Sequence, residues 1–227
     1  MDNSLQKTQG IILSKTPFED KKNIIKVFTK DHGLLTFIVK KSSKNRFMYD
    51  SFTSIFNTIE CIFPYKNKNI HTLYDVSLIS EPLDIRNSLQ SLQTAASLCN
   101  FLLKTHLGEK PSPLTFDLLS FYLKQIPYSQ KHKLLKQSFQ LKILTLEGLI
   151  HVDSKCHHCD QQTQYYSKNH FYCSKHKPLN SLLLEKNTIN CLLIMTYTKS
   201  FHDLNQIELT EEEIAIIDTI IENGLKE

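Results

Sequence analysis

Between Lys155 and Lys177 the chain sets Cys156 and Cys159 two residues apart and, thirteen residues later, sets Cys173 and His176 at the same spacing. Each pair presents two soft ligands on one turn of backbone. Two such turns facing each other offer three thiolates and an imidazole in the tetrahedral set that zinc prefers. A segment carrying this pattern is expected to fold as a small hairpin, over about 153–180, around a structural zinc ion. With all four positions filled by protein, none remains for water or substrate, which argues against a zinc hydrolase. His157, His158 and His170 flank the motif, so the fourth ligand is His176 or one of these three.

The remaining cysteines, Cys61, Cys99 and Cys191, are scattered through apolar or amphipathic stretches and read as reduced core residues rather than a disulfide framework. At 227 residues and 41% hydrophobic content the chain can bury two modest cores. Met1 to Gly10 lack the apolar centre of a signal peptide, and no apolar run approaches the roughly 20 residues of a membrane helix. A soluble, cytoplasmic protein with no membrane partner is therefore expected. The net charge of +4 is unevenly spread: residues 1–80 hold twelve Lys/Arg against seven Asp/Glu, and the rest holds fifteen against sixteen. A basic first third suggests contact with an acidic polymer there.

Residues 1–80 read as short strands, Thr8 to Lys15, Asn23 to Thr29, Leu34 to Lys40, Thr53 to Phe63 and Ile70 to Ile79, rich in Val, Ile, Phe and Thr. Asp31-His32-Gly33 makes one turn, and Pro64 with Asn67 and Asn69 another. Five such strands suggest an OB-fold β-barrel. From Pro82 the spacing becomes helical, with Leu89, Leu92, Ala96, Cys99, Leu103 and His106 recurring at three or four residues until Gly108. Further helices are expected after Pro113, from about Lys131 to Glu147 with Gly148 as the stop, from Leu182 to Tyr197, and from a Thr210/Glu213 capping box through Ile221. The expected fold is thus α+β: a barrel over 1–80 followed by an all-α domain over 81–227 with the zinc hairpin inserted.

The densest basic segment, Lys40, Lys41, Lys44 and Arg46, runs into Phe47 and Tyr49, and Lys15, Lys21, Lys22 and Lys26 add charge across the first two strands. On a small barrel such residues can follow a phosphate backbone while exposed rings stack on unpaired bases. Phe18, Phe28, Phe37, Phe52 and Phe56 are expected to fill the barrel instead. Catalysis has little to stand on. With five glycines in all there is no phosphate-cradling loop, and the Glu211-Glu212-Glu213 cluster is explained by a helix start.

Gly10-Ile11-Ile12-Leu13, the run Ile24 to Thr29 ending in Val27-Phe28-Thr29, Gly33, the strand closing on Lys40, and Phe52-Thr53 resemble the N-terminal barrel of the bacterial RecO family. Phe139-Gln140-Leu141-Lys142-Ile143-Leu144, with Gly148 shortly before the first cysteine pair, resembles the helix leading into that family's zinc hairpin. There are departures. Lys40-Lys41-Ser42-Ser43-Lys44 stands where Lys-Gly-Ala-Arg is common, a proline before Cys156 is missing, and His176 stands where cysteine is usual. The resemblance implies a non-enzymatic, nucleoid-associated recombination mediator. It would bind single- and double-stranded DNA, anneal complementary strands, join RecR, meet the C-terminal tail of single-strand binding protein, and so help load RecA. An interaction adaptor without annealing activity, or a nuclease, are the competing expectations.

Overall fold

The computed structural model describes residues 5–20, 22–40, 51–65, 68–105, 108 and 110–226; Lys21, Lys41, Lys44, Arg46, Phe47, Tyr49, Asn67 and His106 lie outside these residues. Strand β1 (Leu5–Phe18) organises the first of two units, Met1–Pro127. Its first half pairs antiparallel with β4 (Thr58–Pro64), and its second half with β2 (Lys22–Thr29). The register shifts between Ile12 and Ser14, and around this bulge Ile11, Ile12 and Leu13 are all buried. Ile12 pairs with the inward Val27, whereas Ile11 pairs with the buried Phe28 on the opposite face, so both faces of the sheet are covered at this end, and the extra residue bends the strand. β2 continues into β3 (Gly33–Lys40), β3 takes β5 (His71–Thr72) in parallel, and β4 takes β6 (Asp75–Ser80) antiparallel. The order is β5-β3-β2-β1-β4-β6. β5 and β6 are the two ends of that order, yet only Leu73 and Tyr74 separate them, so the edges lie within about 11 Å of each other along the chain.

Gly33 closes the β2–β3 turn with φ +71°, and a Cβ there would sit 2.3 Å from the Lys110 carbonyl oxygen. Glycine satisfies both constraints at once. The Thr29 hydroxyl donates to the Gly33 carbonyl at 2.8 Å and accepts from the His32 N–H, which fixes the turn. Inward faces of the strands supply the core: Ile12, Ile25, Val27, Leu35, Phe37, Val39, Ile59, Cys61, Phe63 and Val76.

Two expected strands differ from the structure. Thr53 to Asn57 form turns, because the buried Asn57 amide donates to the carbonyls of Ser51 and Phe52 and Phe56 takes φ +75°; the strand begins at Thr58. The Ile70 to Ile79 run breaks at Leu73-Tyr74, where the chain passes from one sheet edge to the other. Phe37 and Phe56 are buried and Phe52 packs on the core, as expected; Phe28 is buried too, but on the face of Lys22 and Lys26 rather than inward, and Phe18 is 39% exposed. It pairs with Lys22, three residues from the inward Ile25, and so leaves the sheet on its outer face. Helices α1 (Leu89–Thr105) and α2 (Pro113–Gln125, with Pro at its start) complete this unit, and both contact β1. Ala95, Leu98, Cys99 and Leu102 form the buried stripe of α1. Burial pushes the thiols of Cys61 and Cys99 up to about 12, with the Glu60 charge adding to the effect at Cys61. Both are inert core thiols.

In the second unit, Tyr128–Glu227, helix α3 (His132–Leu146) is largely buried, with Leu134, Leu135, Phe139, Leu141, Ile143 and Leu144 in its core and Lys133 and Leu146 exposed. Such a helix must satisfy its polar side chains internally. Ser138 donates to the Met195 carbonyl at 2.6 Å and Lys142 to those of Thr196 and Thr198, at the end of α4 (Lys186–Tyr197). Lys131 donates to the carbonyls of Asn205 and Ile207, at the end of α5 (Phe201–Gln206). Gln137 donates to the Ile214 carbonyl and to Asp218 on α6 (Glu211–Gly224). Cations at the carbonyl ends of helices also complement their dipoles. Burial pulls the Lys142 ammonium down to about 8, so it remains protonated at neutral pH and keeps both bonds. Gly148, at φ +74°, stops α3 as expected.

Between α3 and α4 lies a three-stranded sheet, order β8-β7-β9, made of β7 (Tyr165–Ser167), β8 (His170–Tyr172) and β9 (Leu182–Leu183). The expected helix from Leu182 therefore starts later, at Lys186. The open edge of β7 captures Leu182 and Leu183 as a strand, and the Leu184 N–H bonds the Gln164 carbonyl.

The capping box at α6 is complete: Thr210 Oγ1 accepts from the Glu213 N–H, and the Glu213 carboxylate accepts from the Thr210 N–H. The same carboxylate accepts from Asn187 and Thr188 on α4. The Thr210 N–H first, then these side chains, outweigh burial and hold its pKa below the usual carboxylate value. Glu213→Ala is expected to lower stability by about 1–2 kcal/mol at neutral pH. Because the folded-state pKa is depressed, this contribution is full above the unfolded carboxylate pKa and is lost as pH falls through the folded one. Denaturation of both proteins at pH 7 and pH 4 checks this: the gap between them should narrow in acid.

Candidate metal centre and nucleic-acid face

Cys156, Cys159, Cys173 and His176 converge so that their ligand atoms all lie within 4.8 Å of one another. Two turns of the same shape deliver them: the Cys159 N–H bonds the Cys156 carbonyl at 3.2 Å, and the His176 N–H bonds the Cys173 carbonyl at 3.2 Å. The β7–β8 hairpin holds these turns against each other through the His157 N–H to the Phe171 carbonyl, 2.8 Å. Its two-residue turn is Lys168-Asn169, both with positive φ, as a tight hairpin requires. Tyr172 and Tyr165 pack against the cysteines, and Lys177 lies 4.2 Å over the Tyr165 ring.

A tetrahedral zinc ion, with bonds of about 2.3 Å to sulfur and 2.0–2.1 Å to nitrogen, sets sulfurs ~3.8 Å apart and sulfur and nitrogen ~3.6 Å apart. Cys159 Sγ and Cys173 Sγ are 3.8 Å apart, and His176 Nδ1 is 3.7 Å from Cys156 Sγ and 3.5 Å from Cys173 Sγ. The donor set fits the ion in size and in chemistry. Burial pushes the Cys156 thiol up, but the N–H groups of His158 and Cys173 and the side chains of His176 and Cys173 prevail, lowering it to about 6. The thiolate, the form that binds metal, is thus favoured at neutral pH. Of the four histidines the motif left open, His176 is the one that meets the three sulfurs; His157 and His170 instead stack on each other, ring centroids 3.9 Å apart.

The basic residues of the first unit divide by sheet face. Residues directly opposite on neighbouring strands project to the same side. Phe18 on β1, Lys22 on β2 and Lys40 on β3 are mutual partners and form one row. The next rows are Thr16, Ile24 and Ile38, then Ser14, Lys26 and Thr36. Lys22, Lys26 and Lys40 therefore share the outer face of β1–β2–β3, with Lys26 and Lys40 exposed and Lys22 ion-paired to Glu19 at 2.7 Å. Lys15 is opposite the inward Ile25, leaves on the other side, and donates to Thr53 at 3.1 Å. Lys21, Lys41, Lys44, Arg46, Phe47 and Tyr49 are outside the described residues. The sequence reading missed Phe18 as a member of this face; the strand register is the signal that finds it.

A model described as the recombination protein O N terminal matches residues 1–82, and one described as the recombination protein O C terminal matches residues 86–227. The chain belongs to the RecO family. This RecO-family chain is 26% identical over 201 residues to the DNA repair protein RecO of Chlamydia trachomatis serovar L2, covering 86% of this chain and 82% of that one. It is 23% identical over 214 residues to that of Chlamydia pneumoniae, covering 93% and 84%. It is 22% identical over 175 residues to that of Listeria monocytogenes serotype 4b, covering 75% and 68%. The two family models divide the chain between residues 82 and 86, whereas its compact units divide after Pro127, so that α1 and α2 fold with the sheet.

The metal site predicts one zinc ion per chain by elemental analysis of the purified protein. Cys156→Ser and His176→Ala should each lose most of it, whereas His157→Ala and His158→Ala should retain it. Full retention in His176→Ala would place the fourth ligand elsewhere.

Proposed function

We propose that this chain is a non-enzymatic DNA repair and recombination mediator that binds single- and double-stranded DNA and anneals complementary strands. In this reading it acts in the bacterial cytoplasm at the nucleoid. With RecR it promotes RecA loading on DNA covered by single-strand binding protein, whose C-terminal tail it meets. RecO-family membership supports the assignment of class. The observation that carries the DNA contact is the shared outer face of Lys22 and Lys26 on β2 and Lys40 on the adjacent β3.

The strands are read as an OB-type barrel. The bulged, doubly paired β1 and the dipeptide joining the two end strands support that closure. Zinc would be held by Cys156, Cys159, Cys173 and His176 and would tie the hairpin to the helices of its unit, supplying folding energy and no chemistry. Tyr166, which donates to Asn169 and to the Ile220 carbonyl on α6, links the hairpin to that helical packing. Annealing then requires no catalytic side chain. Cations that neutralise phosphate repulsion lower the barrier to pairing, and salt weakens them by reversing counterion release.

Annealing of complementary strands coated with single-strand binding protein, followed across a salt series, is the direct test. Strong acceleration that fades with salt is expected. Absence of acceleration together with absence of DNA binding at low salt would instead favour an adaptor, and shortening of labelled DNA on adding magnesium or manganese a nuclease. Lys22→Gln, Lys26→Gln and Lys40→Gln together should reduce single-strand affinity and lower the log–log salt slope by about 2, since three phosphate contacts are lost. An unchanged slope would remove this face from the DNA contact.

A further inference from the structure

By register the outer face of β1–β2–β3 carries two phenylalanines, Phe28, which is buried, and Phe18, which is not. Phe18 ends β1, is 39% exposed, and faces Lys22, which in turn faces Lys40. An apolar ring on a charged row gains nothing from the core, and strand register alone dictates its direction. Cβ atoms of direct partners on adjacent strands are about 5 Å apart, so a ring and two ammonium groups occupy a strip about the size of one nucleotide. Phosphate suits the ammonium groups, and the flat face of a base suits the ring. Glu19 is the acidic neighbour of this row, and its exposed ion pair with Lys22 is weak enough to yield to a phosphate.

We infer that Phe18 is a base-stacking platform that makes this face prefer single-stranded over double-stranded DNA. The inference rests on the DNA-binding reading of the same face and adds to it the strand form selected and the residue that selects. Lysines meet the phosphates of either form alike. A ring finds a free base face only where bases are unpaired, because within a duplex each base is already covered on both sides. The preference therefore resides in Phe18 and the salt dependence in the lysines.

The chain contains no tryptophan, so Phe18→Trp would place a sole indole on the face. Titration of this variant with oligo(dT) should quench its fluorescence, while a hairpin duplex with a capped end should bind with little quenching. In anisotropy titrations of the full chain, Phe18→Ala should weaken oligo(dT) binding by about tenfold and leave duplex affinity within about twofold. Phe18→Leu keeps an apolar side chain without a ring face and should behave as Phe18→Ala. Retained single-strand affinity in both variants, or an unquenched indole in a saturated oligo(dT) complex, would overturn the inference while leaving the lysine face intact. If the unaltered chain binds neither DNA at low salt, the DNA-binding reading falls and the inference with it.

Discussion

The first unit depends on β1 hydrogen-bonding on both sides along one bent strand. Its N-terminal half belongs with β4 and its C-terminal half with β2, and the bulge at Leu13 is what lets one strand serve both. The buried run Ile11 to Leu13 spans that bend, with Ile12 facing the core and Ile11 the opposite face beside Phe28, and the end strands of the sheet come within a dipeptide of each other. The same register aligns Phe18 with Lys22 and Lys40, so the geometry that closes the core also composes the charged outer row.

The second unit solves a different problem. A largely buried helix must place the polar side chains of its inner faces against neighbouring helices. α3 uses them to terminate α4 and α5 and to grip α6. The exposed carbonyls of helix ends are strong acceptors that need partners, and an ammonium or amide from a neighbouring helix supplies one without water. The hairpin has little apolar material of its own. Cys156, Tyr172 and Cys173 form its small core, which is the situation in which a bound ion contributes most to folding.

The metal donors and the basic face thus rest on contrasting physics. Three sulfurs and a nitrogen within 4.8 Å form a local constellation set by two short turns, nearly independent of the remaining chain. The basic face is assembled from β2 and β3, with Phe18 of β1 beside them, and its membership follows from register. Lys15 and Lys22 are both basic residues of strands, but one faces the Thr53 side and the other the open row.

Spacing along the chain was enough to determine the three cysteine ligands, the helices with clear three-and-four periodicity, the Asp31-His32-Gly33 turn, the Gly148 stop and the capping box at Thr210. All are written in short runs of sequence, each turn, cap or ligand pair being set by residues a few positions apart. Tertiary structure decided what depends on how strands and turns pair. His176 stands out from three neighbouring histidines only when the two turns face each other. Leu182-Leu183 becomes a strand because β7 offers an open edge, against a helical pattern that continues in Lys186–Tyr197. Phe18 is outside rather than inside because its register with Lys22 fixes its direction, and side-chain hydrophobicity cannot report which face of a sheet a strand's last residue will occupy.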